Sequence, residues 1–132
     1  MQLDIVTPEK TVFSEKIETV TLPGTAGEFG VLPGHATLFT TLDTGEILVQ
    51  SENQEYLLAV SGGFAEVVND EIIVLADAAE IAFEIDVKRA EAAKIRAEET
   101  LKSLEVESDD YQEASEALKR AANRITVSQR TN

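Results

Sequence analysis

The sequence predicts an α+β protein: an antiparallel β-sandwich over residues 1–84 followed by an antiparallel two-helix hairpin over residues 85–132. Short runs of β-branched and aromatic residues, each closed by turn formers, recur up to position 76. From Asp86 onward the apolar period lengthens from two to between three and four. The charge divides at the same place. Residues 1–84 hold fifteen acids against Lys10 and Lys16, whereas residues 85–132 hold ten acids against nine bases, including all five arginines.

Taken in order, LDIV (3–6), IETVTL (17–22), ATLFTTL (36–42), EILVQ (46–50), EYLLAV (55–60), FAEVV (64–68) and EIIVLA (71–76) read as strands. TPEK, PGTAG, DTG, SENQ, SGG and ND lie between them, at spacings typical of hairpins in a sandwich or barrel. EYLLAV and EIIVLA are nearly continuous apolar runs, as expected of strands covered on both faces. No stretch leaves room for a crossover helix, so the pairing is expected to be mostly antiparallel. Gly62–Gly63 marks a bulge or a close approach of two strands.

In the second part, Val87, Ala90, Ala93, Ala97, Leu101 and Leu104 share one helical face. Asp86 is a natural N-cap, yet Arg89 stands where a capping box places Glu or Gln. A cation there faces the positive end of the helix dipole, at a cost of a few tenths to about 1 kcal/mol. EVESDD (105–110) breaks the pattern, and Asp109-x-x-Gln112 and Asp110-x-x-Glu113 both match capping boxes opening a second helix. Its apolar positions Tyr111, Ala114, Leu118, Ala121 and Ile125 form a heptad seam. The seam is mostly alanine. Each Leu→Ala difference removes roughly 2 kcal/mol or more of burial, so the helices form readily but hold together weakly. Such a hairpin either switches between closed and open states or is simply packed for good.

Several function classes are excluded. A net charge of −14 and a pI near 4.3 argue against nucleic acid as a partner and against anionic lipid. With no cysteine there are no disulfides and no thiolate chemistry. MQLDIVTPEK lacks the basic start and apolar stretch of a signal peptide, and no run approaches the roughly 20 apolar residues of a membrane span. These features predict a soluble intracellular protein without membrane insertion. GEFGVLPGHATL (27–38) holds three glycines and Pro33 around His35, the one histidine. It has no Walker lysine and no GxGxxG before a helix, and one histidine without cysteine makes no zinc site. No catalytic residue and no metal are expected.

GEFGVLPGHATL, SGGFAEV, EIDVKRA and a capped alanine-rich helix ending ALKRAANRI follow one another in register. Together they resemble the epsilon subunit of bacterial F-type ATP synthase, across essentially the whole chain. The resemblance implies a ten-stranded sandwich and a helical hairpin in the central stalk of a proton-translocating synthase. It implies partners as well: the gamma subunit, the c-ring, and the alpha and beta subunits of the catalytic hexamer. The location implied is peripheral, on the cytoplasmic face of the plasma membrane. The tail of such subunits inhibits ATP hydrolysis when extended, and in several members the folded hairpin binds ATP as a regulatory ligand. Ile85, Asp86, Arg89 and Ala90 match the nucleotide motif, and Glu80, Arg96, Arg120 and Arg124 match further positions of that site. Glu28 and His35 match loop positions that approach the c-ring.

The arginines also have a reading of their own. Arg89 and Arg96 are seven apart and share a helix face, Arg120 and Arg124 adjoin the seam, and an antiparallel hairpin lets Arg89 and Arg124 converge. Guanidinium forks suit phosphate oxygens, whereas Glu80 and Asp86 suit ribose hydroxyls or an amino group. In the plainer alternative Asp86 is an ordinary N-cap and the arginines pair with Glu91, Glu113 and Glu116. The chain is then a structural rotor adaptor with an inert tail. A stand-alone nucleotide sensor and a small hydrolase are the readings outside this class.

Overall fold

The computed structural model describes residues 1–130 and divides into two compact units, Met1–Ala82 and the chain from Phe83 onward. The first unit contains β1 (Gln2–Val6), β2 (Thr11–Lys16), β3 (Thr19–Gly24), β4 (Gly27–Val31), β5 (Leu38–Thr41), β6 (Gly45–Ser51), β7 (Gln54–Val68) and β8 (Glu71–Ile81). Their order is β2-β1-β8-β7-β6-β3-β4, with β5 added to β7. Inward-facing side chains from seven of these strands, among them Leu3, Phe13, Leu22, Val31, Ile47, Leu58 and Ile72, meet in one core. The sandwich expected from the sequence is therefore present, and its pairing is antiparallel except for β1 on β8.

Several boundaries differ from the sequence reading. Strands β2 and β4 were not expected, and each buries a single side chain, Phe13 and Val31 respectively. So little burial leaves no alternation to read. EYLLAV and FAEVV are not two strands but one, β7, whose first half pairs with β6 and whose second half pairs with β5.

Gly62 and Gly63 sit at the bend of that long strand, at φ of 69° and 111°. The inward face changes parity there: Leu58 and Val60 point to the core before it, Ala65 and Val67 after it. On β8 the same change separates Ala76 from Ala79 and Ile81, while the register of the pair is unbroken on either side. Both strands turn over together, the strong local twist that glycine permits. Splitting β7 and β8 at this bend turns eight strands into the ten the resemblance implies. EIIVLA also departs from expectation: Ile72, Val74 and Ala76 are buried, but Ile73 and Leu75 are exposed. It is covered on one face only.

The second unit is a helical hairpin, α1 (Val87–Lys102) and α2 (Asp109–Gln129). Asp86 caps α1 as the sequence predicts, its carboxylate accepting the Arg89 backbone N–H at 3.1 Å. The cap of α2 lies one residue earlier than expected. Ser108 accepts the Tyr111 N–H at 3.1 Å, so neither Asp109 nor Asp110 opens a capping box. Those two acids occupy the first turn and favour the positive end of the dipole instead. The seam is built of alanine: Ala90, Ala97, Ala114 and Ala121 are buried, and the larger Leu101, Leu104, Leu118 and Ile125 flank it half-buried.

Candidate functional site

Alanine at the seam leaves an open groove of ≈ 530 Å³ between the two helices. Its floor is Ala93 and Ala97 of α1 with Ala114 and Ala117 of α2, and Leu104 lies at the hairpin's tip. Arg96 and Thr100 stand on one rim, and Asp110, Glu113 and Arg120 on the other. All five rim residues are exposed. The spacing explains the arrangement. Arg89, Ala93, Arg96 and Thr100 step by four, three and four along one line of α1. Asp110, Ala117 and Arg124 follow one another at intervals of seven on α2, as do Glu113 and Arg120. Arg89 and Arg124 thus continue the two rims beyond the Ala93 end of the groove, Arg124 half-buried and Arg89 exposed.

Among the described residues, no ion pair joins Arg89, Arg96 or Arg120 to Glu91, Glu113 or Glu116. The salt bridge recorded in the hairpin, Lys102 to Glu99 at 3.7 Å, lies on the exposed surface and contributes at most about 1 kcal/mol. Three guanidinium groups are therefore not neutralised by the carboxylates that the plainer sequence reading assigned to them.

The strand unit carries a different feature. On the outer face of the β5–β7–β8 segment, Phe64 lies between Thr41 and Leu75, and Glu66 between Phe39 and Ile73. Phe39 and Phe64 bring their rings to 5.4 Å between centroids. Exposures of 63% for Phe39, 39% for Phe64, 43% for Ile73 and 42% for Leu75 make this a contiguous apolar patch. Patches of this kind mark interaction surfaces.

Glu28 is exposed in β4 opposite Pro23. His35 lies beyond the other end of that strand, in a turn closed by its backbone N–H donating to the Leu32 carbonyl at 3.1 Å. Gly34, at φ 84°, donates its N–H to the Asp70 carboxylate at 2.8 Å, and His35 Nδ1–H donates to the Ala36 carbonyl at 2.7 Å. The strand and the turn keep Glu28 and His35 apart along the chain's path.

A family profile described as ATP synthase, Delta/Epsilon chain, beta-sandwich domain matches residues 1–82. A second, ATP synthase, Delta/Epsilon chain, long alpha-helix domain, matches residues 84–129. The ATP synthase epsilon chain of Desulforamulus reducens is 53% identical over 128 residues, covering 97% of this chain and 96% of that one. The chain belongs to the ATP synthase epsilon-chain family. Other epsilon chains agree: that of Dehalococcoides mccartyi is 45% identical over 98% of this chain and 93% of its own length. That of Geobacter metallireducens is 44% identical over 96% and 92%.

Among solved structures, a chain of the Euglena gracilis mitochondrial ATP synthase, OSCP/F1/c-ring, superposes with a TM-score of 0.79 at 23% identity. It covers 92% of this chain and 76% of that one. One from the central stalk and c-ring of the Tetrahymena thermophila enzyme gives 0.66 at 12%, over 96% and 95%. These two speak for the fold. Family membership makes the chain a non-catalytic polypeptide, and no helix among the described residues is long and apolar enough to cross a membrane.

Placed on this epsilon-family fold, the residues singled out from the sequence separate. Arg96 and Arg120 come together in the groove. Arg89 and Arg124 extend its rims, Asp86 is engaged as a cap, and Ile85 and Ala90 are buried. Glu80 belongs to the strand unit, next to last in β8 and opposite Ala59. Thr100 was missed, although it stands four residues after Arg96; Asp110 and Glu113 read as a capping box in the sequence, and Glu113 also as an arginine partner, but not as residues of the groove. The aromatic patch was missed because Ile73 and Leu75 lie in EIIVLA, which was expected to be covered on both faces, and because Phe39 and Phe64 reach them from two other strands.

Proposed function

We propose that the chain is a central-stalk subunit of a proton-translocating F-type ATP synthase, turning with the rotor and coupling ion flow to ATP synthesis. Its closed hairpin binds ATP. Its open hairpin inhibits ATP hydrolysis by the alpha–beta hexamer. It works as a peripheral subunit on the cytoplasmic face of the plasma membrane.

One observation carries the nucleotide part: an alanine-floored groove between two helices, with unpaired guanidinium groups rising from both rims. Arginine forks bind phosphate oxygens by charge-assisted hydrogen bonds, and a small-residue floor lets a flat, polyanionic ligand approach the backbone. The groove residues face one another only while the hairpin is closed. A ligand that engages both rims therefore favours closure, and a preference of about 1.4 kcal/mol shifts the ratio of states tenfold. Arg89 fits this reading because a bound polyanion offsets its helix-dipole penalty.

The test is titration of ATP into the full chain, followed by backbone amide shifts. Saturable shifts of Arg96, Thr100, Ala117 and Arg120 are expected; none at millimolar ATP would defeat the nucleotide reading. The rival reading, an adaptor with an inert tail, draws on Asp110 and Glu113, which place negative charge in the same groove.

The stalk part of the proposal assigns the Phe39–Phe64 patch to the gamma subunit and the 27–38 segment, with Glu28 and His35, to the c-ring. An aromatic side chain buried at an interface contributes about 1.5–3 kcal/mol. Phe39→Ser with Phe64→Ser is expected to weaken co-purification with gamma by about 100-fold, since each 1.4 kcal/mol is tenfold. Both residues are exposed, so the melting temperature is expected to change little. Undiminished recovery with gamma would move the interface elsewhere.

A further inference from the structure

The groove is not uniformly basic, and its second charge calls for a reason. Glu113 and Arg120 lie on one line of α2, with Ala117 between them, and all three line the groove. In the antiparallel hairpin Leu104 and Asp110 lie at the tip end of the groove, and Ala93 and Arg120 at the other end. Glu113 then falls near the level of Thr100, about one turn from Arg96 toward the tip, and no ion pair joins it to Arg96. Its carboxylate faces the same space as the guanidinium without being used up by it. Helix stability does not explain its presence. Asp109 and Asp110 already fill the acidic first turn, and the dipole's influence fades beyond that turn.

We propose that Glu113 is an affinity-setting residue of the groove. Its negative charge opposes the phosphates that Arg96 and Arg120 attract, so the hairpin closes at a higher ATP concentration than the arginines alone would require. The proposal rests on the nucleotide reading above. Like charges that share a solvent-open groove change a binding constant by roughly threefold to tenfold. Salt screens such an effect, and it grows with the number of phosphate charges.

The experiment compares ATP, ADP and AMP binding by the full chain carrying Glu113→Gln or Glu116→Gln with that of wild type, by calorimetry at low and at high salt. Both substitutions remove one negative charge and keep a good helix former, but Glu116 does not line the groove. Glu113→Gln is expected to bind ATP about threefold to tenfold tighter, with a smaller gain for ADP, a smaller one again for AMP, and shrinkage of all three in salt. Glu116→Gln is expected to match wild type. Equal affinities for the two variants, or weaker binding by Glu113→Gln, would overturn the proposal while wild-type binding keeps the nucleotide reading intact. If wild type and both variants all fail to bind ATP, that reading falls and this inference with it.

Discussion

Replacing Gly63 by alanine is expected to destabilise the strand unit by about 3 kcal/mol or more, the largest effect of a methyl group added at any of the glycines. A Cβ at this position would collide with the Leu75 carbonyl oxygen and come within 2.7 Å of Ala76 Cα. Both are backbone atoms of the partner strand, so no side-chain rotation relieves the clash. The backbone angle adds to it, since a φ of 111° is open to glycine and strained for any L side chain. Relief would require β7 and β8 to separate where both turn over and where the Leu42 N–H donates to the Gly63 carbonyl at 2.8 Å. The control is Gly30→Ala, because no atom lies within 4 Å of the added methyl group. Thermal unfolding measures both. Each kcal/mol shifts the midpoint of a domain this size by about 4–8 °C, so Gly63→Ala is expected to melt at least about 12 °C lower. A Gly63→Ala protein that melts with wild type would show that the strand pair bends without needing glycine there.

That bend also shows where sequence reading meets its limit. Gly-Gly between two apolar runs is the ordinary sign of a turn, and in isolation the segment could have been two strands. What distinguishes a turn from a bend is the partner strand, which keeps its register from Glu71 to Ile81 across the glycines. The parity change from Val74 and Ala76 to Ala79 and Ile81 is present in the sequence, but it acquires meaning only once β7 is laid beside it. The parallel pairing of β1 with β8 is less accessible still, because it joins Gln2 to Glu71 with no local signal at either end. Helices depend on near neighbours, and there the sequence came closer, missing the α2 cap at Ser108 by one residue. Asp86 caps α1, and the alanine seam falls where the three–four spacing puts it.

The site was legible to the same extent as its elements. Arginines at intervals of four and seven can be placed on a helix face from sequence alone, but the pair that lines the groove is Arg96 and Arg120, whereas the convergence read from the sequence is that of Arg89 with Arg124. Glu113 obeys the same spacing with the opposite charge, but its sequence context reads as a capping box or an arginine partner rather than as part of a groove. The patch formed by Phe39, Phe64, Ile73 and Leu75 depends on non-local strand pairs, and so escaped a reading confined to runs of residues.

Arg96→Ala combined with Arg120→Ala is expected to weaken ATP binding by about 100-fold or more. A charge-assisted hydrogen bond contributes about 1.5–3 kcal/mol, roughly tenfold or more for each arginine. The two residues rise from different helices, so a phosphate held between them ties α1 to α2. ATP at a hundred times its dissociation constant would stabilise the closed hairpin by about 2.7 kcal/mol, and the double variant is expected to lose that stabilisation. Alanine is the best helix former, so the variant keeps its helices, and circular dichroism without ATP is expected to match wild type. The single variants carry further information. If one phosphate group bridges both rims, the two substitutions are coupled, and the second removes less than the first. If the arginines hold separate phosphates, their effects add. An unchanged ATP response in the double variant would place the phosphates outside the groove, against either form of the bridge.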